Sequence, residues 1–188
     1  MEHFYTHLKG ENWFTYPKLY SEIVYKCSYQ KKYHFVEVGS WKGKSACFMA
    51  VEIINSHKCI KFDCIDCWLE DSVYNEFIEN IKPVNQFINV IREYSKVASA
   101  HYKDNSLDFV FIDAHHTYEA VTEDINYWYP KVKPGGILAG HDFWSNKHEQ
   151  YTSGVNRAVI DRFNDDFKST EEGCWIHTKT KETVKSII

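Results

Sequence analysis

A short apolar run, broken by two glycines and followed at once by helical spacing, constrains this chain more than any other feature. Phe35 to Val38 reads as a buried strand. Gly39 and Gly43 interrupt it, and Ala46, Cys47, Met49, Ala50, Ile53 and Ile54 then recur with a helical period. Open α/β sheets receive nucleotide-like ligands on such a strand, glycine turn and helix. The glycines let the backbone come close, and the first helical turn offers unpaired N–H groups.

Two chemistries compete for that turn. The run Gly39, Gly43, Lys44, Ser45 looks like a phosphate-binding P-loop, but that motif needs four residues between its glycines and this chain has three. Glu37, two positions before Gly39, argues the other way. A carboxylate at the mouth of the turn repels a polyphosphate and suits a ligand carrying an ammonium and a sulfonium, which is S-adenosylmethionine.

Composition narrows the classes. A chain of 188 residues is one domain with room for a proper core. Its hydrophobic content of 44% and charged content of 26% are those of a soluble globular protein. A net charge of −4 speaks against a broad basic face for nucleic acid. No apolar run reaches membrane-spanning length, and the first residues lack the basic-then-apolar pattern of a signal peptide. The expected location is therefore the cytoplasm, where the six cysteines stay reduced. Cys64 and Cys67 have Cys-x-x-Cys spacing, but no second pair accompanies them, and they read as buried thiols.

Residues 1–33 form an N-terminal helical or lid segment, with a helix starting near Pro17 and packing on the sheet. Residues 34–188 form the ligand-binding domain. Its second strand ends at Asp66, followed by Cys67 and Trp68. An acid at that tip can accept hydrogen bonds from both ribose hydroxyls. Residues 72–81 are helical in pattern, 87–91 form a third strand, and Arg92 to Ser95 form the loop at its tip. Residues 96–103 read as a short helix. Leu107 to Asp113 is a fourth strand, and a helix is expected to begin at Ala114, carrying His115 and His116 in its first turn. A fifth strand runs from Ile137 to Asp142, a polar loop covers 143–154, a helix covers 155–163, and the tail holds one or two strands. Strands and helices alternate, which predicts a parallel sheet covered on both faces. Glu37, Asp66, Asp113 and Asp142 all fall at its carboxyl rim, where such sheets bind ligands.

Taken together, 35–45, 65–68, 107–113, 116–119 and 133–142 resemble, in order, the motifs of class I S-adenosylmethionine-dependent methyltransferases. The nearest branch is that of small metal-dependent O-methyltransferases of sugars and natural products. The resemblance implies an α/β, Rossmann-like sheet of seven strands in the order 3-2-1-4-5-7-6, the last antiparallel. It assigns Glu37, Gly39, Ser40, Gly43 and Ser45 to the methionine end of the cofactor and Asp66 to the ribose. Cys67, Trp68, Tyr94 and Ser95 fall to the adenine side. Asp113 and Asp142 would bind Mg²⁺ or Mn²⁺, and His116 would be the general base beside Asp113, which itself borders the cofactor. The chain departs from the branch at His115, where an acid is common, and at His141-Asp142, where catechol-type relatives place Asp-Asn.

The expected partner is a small-molecule or sugar acceptor, in a pocket built from residues 1–16, 68–76 and 143–154. Neither nucleic acid nor a membrane is expected, and a homo-oligomer is left open. Two other functions compete. A non-catalytic protein would bind S-adenosylmethionine without turnover. A nucleotide-triphosphate-dependent kinase or ATPase would use the Gly39–Ser45 loop.

Overall fold

The computed structural model describes residues 1–8, 13–144 and 149–180, with only the backbone described for 149–153. Seven strands form one sheet in the order β3-β2-β1-β4-β5-β7-β6. They are β1 (Lys32–Val38), β2 (Cys59–Asp66), β3 (Asn89–Arg92), β4 (Leu107–Ile112), β5 (Val132–Gly140), β6 (Lys168–Ser169) and β7 (Trp175–Thr178). The first five pair in parallel, and β7 runs antiparallel to β5. This is the order implied by the resemblance.

Among the described residues, six α-helices accompany the strands: α1 (Pro17–Lys26), α2 (Lys44–Ser56), α3 (Asp71–Ile81), α4 (Ser95–Ser99), α5 (Tyr118–Trp128) and α6 (Glu149–Phe163). Side chains alternate across each strand, so a buried strand must be apolar on both faces. Phe35, Phe62, Phe109 and Phe111 face one side and pack with α1, α2 and α3. Val36, Val38, Val110 and Ile112 face the other and pack with α4, α5 and α6. Pro17 opens α1, where its missing N–H is no loss. All six cysteines are free thiols, and Cys64 is buried in β2.

Several elements differ from the expectation. Helix α5 begins at Tyr118 because the Thr117 side chain accepts from Ala120 N, so His115 and His116 lie in the preceding loop. Helix α6 begins at Glu149, inside the stretch expected as a loop, of which 145–148 lie outside the described residues. The fifth strand starts earlier, at Val132, and ends at Gly140, leaving His141 and Asp142 just beyond it. Among the described residues, no helix is long and apolar enough to cross a membrane.

One buried acid belongs to the framework. Asp63 in β2 accepts from Tyr102 OH at 2.8 Å, Asn89 Nδ2 at 3.2 Å and Lys61 Nζ at 3.2 Å, and lies 2.7 Å from His34 Nε2. Burial pushes its pKa up, but the bonds from His34 and Tyr102 outweigh burial and hold it below the ordinary aspartate value. A lowered folded pKa stabilises the native state above the unfolded value, near pH 4, and that stabilisation is lost as pH falls through the folded value. Asp63→Ala should cost about 3 kcal/mol in urea melts at pH 7, because it strands buried donors. Asp63→Asn should flatten the wild-type decline in stability at acid pH.

Candidate active site at the strand tips

The site follows from register. Val38 pairs with Ile65 and Ile112, and Ile112 pairs with Gly140, so Gly39, Asp66, Asp113 and His141 emerge abreast. Gly39 has φ +93°, and a Cβ there would lie 2.1 Å from the Asp113 carbonyl oxygen. Only glycine lets the two strand tips close in this way. A second close approach fixes the far side, where a Cβ on Gly154 of α6 would come 2.4 Å from the His116 carbonyl oxygen.

Glu37 lies under the turn and is buried, and Tyr20 OH donates to its Oε2 at 2.7 Å. Burial pushes its pKa up to about 7, against the pull of the Tyr20, Ser40 and Ser45 hydroxyls. Glu37 Oε1 and the neighbouring Ser40 hydroxyl lie close together, but both are buried and complete no hydrogen bond of good geometry among the described residues. Such acceptors beneath a glycine turn fit a ligand that brings donors, such as an ammonium group, and do not fit a polyphosphate. Ser45 is buried in the first turn of α2, whose N-cap is Gly43 at φ +83°.

The adenine side departs from expectation. Asp66 stands at the rim, but its carboxylate already accepts from Trp41 N at 2.9 Å and Trp68 N at 2.8 Å, leaving its remaining lone pairs for a ribose. Trp68 is not a pocket wall. Its ring is 2% exposed and packs 4.4 Å from Phe77, because a left-handed turn at φ +37° folds it back beneath α3. Its Nε1 donates to Trp41 O at 2.7 Å and so braces the glycine turn from below. Ser95 also turns inward, accepting from Trp128 Nε1 at 2.9 Å and donating to the buried Asp124 carboxylate. Burial raises the Asp124 pKa to about 6, with the Ser95 bond opposing. Tyr94 is exposed beside Ser95, and Cys67 is partly exposed.

Two acids and two imidazoles meet where β4 and β5 end. His116 lies with Nδ1 3.0 Å from Asp142 Oδ2 and Nε2 3.3 Å from Asp113 Oδ1. The Asp113 hydrogen bond, with the charges of Asp113 and Asp142, outweighs burial and raises the His116 pKa above its ordinary value. His115 is exposed; its Nδ1 accepts from Thr117 N at 3.4 Å, and its charge acts on Asp124. Sequence reasoning missed two members of this cluster. His141 places Nδ1 3.5 Å from Asp142 Oδ1 and 3.9 Å from Asp113 Oδ1. Tyr16, at the start of α1, donates to Asp113 Oδ2 at 2.8 Å, its phenol raised well above the ordinary range by burial and by Asp113. The pair His141-Asp142 at a strand end was the available signal for the first. Nothing local marks Tyr16, which reaches the site from 97 positions away in the chain.

Asp113, His141 and Asp142 each offer one ligand atom, all within 4.8 Å of one another. Two carboxylates and an imidazole suit a divalent cation.

Fold and site together define a class I methyltransferase architecture. The methyltransferase domain family model matches residues 36–143, more than half of the chain, and the chain belongs to that family. The O-methyltransferase NovP is similar in structure, with a TM-score of 0.66 at 15% identity over 89% of this chain and 80% of that one. An S-adenosylmethionine-dependent O-methyltransferase from Thermotoga maritima gives a TM-score of 0.59 at 14% identity, over 88% of this chain and 66% of that one. At such identities the likeness shows the fold. An uncharacterized Sinorhizobium fredii protein, y4gI, is 22% identical over 121 residues, covering 60% of this chain; that stretch spans 13% of the relative's own length.

The His116 environment can be tested in the protein without ligand or metal. In a histidine NMR titration with EDTA, His116 should titrate above the ordinary imidazole range near 6.5. Asp113→Asn should bring it down, and Asp142→Asn should do so less. An unchanged titration in both variants would remove the acids as the cause.

Proposed function

We propose that this chain transfers the methyl group of S-adenosylmethionine to a hydroxyl of a small molecule, with sugars among the acceptor classes. The observation that carries this reading is the His116 imidazole, held between Asp113 and Asp142 beside the Gly39 turn. Methyl transfer to oxygen needs the attacking hydroxyl in line with the sulfonium and deprotonating as it attacks.

The residues divide that work. Glu37 Oε1 and the Ser40 hydroxyl accept from the ammonium end of the cofactor, and Asp66 accepts from the ribose. Asp142, the nearer acid, holds Nδ1–H of His116, and Nε2 takes the acceptor proton. The methyl leaves sulfur with its bonding electrons remaining on sulfur, so the products are a methyl ether, S-adenosylhomocysteine and a protonated His116. Asp113 and Asp142, with His141, would hold a divalent ion. When bound, such an ion supplies a lowered pKa and a fixed position for the acceptor hydroxyl.

A nucleotide-triphosphate reading is weaker, because buried Glu37 and the three-residue glycine spacing leave no cradle for a triphosphate. Calorimetry should show S-adenosylhomocysteine binding and no tight ATP binding; the reverse would overturn the reading. An acceptor screen, run with and without Mg²⁺ or Mn²⁺ and read by S-adenosylhomocysteine release, separates an enzyme from a binding protein. With an acceptor found, His116→Ala should lower kcat by about 10²–10⁴ with cofactor affinity barely changed, and His115→Ala should do much less. Equal, slight losses in the two variants would make the His116 imidazole structural.

A further inference from the structure

Asp113 and Asp142 alone would make an all-oxygen site, yet two imidazoles face them, His116 from the exposed side and His141 from the buried side. The His141 side chain is 7% exposed, so its hydrogen bonds can be followed to completion. The outer nitrogen, Nε2, lies 3.0 Å from Thr15 Oγ1 and 3.2 Å from the Glu172 carbonyl oxygen. A carbonyl only accepts, and the Thr15 hydroxyl donates to that same carbonyl at 3.5 Å. The partners therefore assign the proton to Nε2.

That leaves Nδ1 as a lone pair. Among the described residues no hydrogen bond reaches it, and it faces Asp142 Oδ1 at 3.5 Å and Asp113 Oδ1 at 3.9 Å. Asp113 accepts from Tyr16, Asp142 Oδ1 accepts from Trp144 Nε1 at 3.2 Å, and His116 lies against both acids. The His141 Nδ1 lone pair, by contrast, has no donor among the described residues and offers, with the two carboxylates, three ligand atoms within 4.8 Å of one another. Anchoring one ring nitrogen on a carbonyl while presenting the other is how proteins orient an imidazole toward a metal. Tyr16 reinforces the pose, with its ring 4.7 Å from that of His141 and its hydroxyl on the other oxygen of Asp113.

We propose that His141 Nδ1 is a ligand, with Asp113 and Asp142, to a divalent ion, and that this nitrogen makes the site prefer Mn²⁺, Co²⁺ or Zn²⁺ over Mg²⁺ and Ca²⁺. Carboxylates alone favour the hard ions, and an imidazole shifts preference along the Irving–Williams order. The ion's purpose rests on the methyl-transfer reading, whereas its binding does not.

The test uses metal-stripped full-length protein and the ions alone. Calorimetry should find one site binding Co²⁺ and Zn²⁺ at least about tenfold tighter than Mg²⁺. His141→Ala should weaken Zn²⁺ about 10–100-fold, and His141→Asp should move the preference back toward Mg²⁺. Histidine ¹⁵N NMR on the wild type is independent of any variant's folding: Zn²⁺ should shift Nδ1 of His141 and leave His115 unmoved. Equal affinity for Mg²⁺ and Co²⁺, undetectable ion binding, or an unmoved His141 Nδ1 would each overturn the proposal. Full methyl transfer in EDTA would sink the ion's catalytic purpose and leave methyl transfer standing. The expected ion preference without S-adenosylhomocysteine affinity would do the opposite.

Discussion

The site depends on one close approach, the contact between the Gly39 backbone and the Asp113 carbonyl. Because Val38 and Ile112 are paired in register, the residues after them must leave the sheet side by side. Any side chain at position 39 would force those tips apart, since its Cβ would overlap the Asp113 carbonyl. The same contact brings a glycine turn suited to a cofactor within reach of the acids and imidazoles that would handle an acceptor. The two halves of the candidate site are thus joined through a hydrogen-bonded sheet, which resists deformation, rather than through a loop.

Helix α1 supplies the second constraint. Tyr20 donates to Glu37 and Tyr16 to Asp113, so two phenols from one helix engage an acid on either side of the Gly39 turn. Burial keeps both phenols protonated and committed to donating. The loop at Glu172 closes this arrangement: its carboxylate accepts from Lys18 N and Leu19 N at the start of α1, and its carbonyl accepts from His141. The N-terminal segment and the C-terminal hairpin, distant in sequence, therefore hold the same imidazole. Displacing either would change where His141 points before it changed the sheet.

Much of this was legible in the residues themselves. Alternating apolar runs and helical spacings gave the strand and helix order, and acids at run ends gave the rim. The differences have local causes. Thr117 caps α5 and puts His116 in a loop, so its direction comes from the 3.0 Å contact with Asp142 and not from helical phase. The resemblance assigns Trp68 and Ser95 to the adenine side, and the structure turns both side chains inward. A left-handed turn buries the first, and the Asp124–Trp128 pair captures the second.

The sequence by itself determined the order of elements, the glycine turn and the presence of Glu37, Asp66, Asp113 and Asp142 at one rim. These follow from periodicity and from residues whose backbone freedom or charge acts locally. Only the tertiary structure decided that His141 joins Asp113 and Asp142, that Tyr16 and Tyr20 serve the site, and which nitrogen of His141 faces the acids. Those facts rest on contacts between positions up to 157 residues apart, such as Thr15 with Glu172. Packing and register select such pairs, and no stretch of the chain read alone contains both partners.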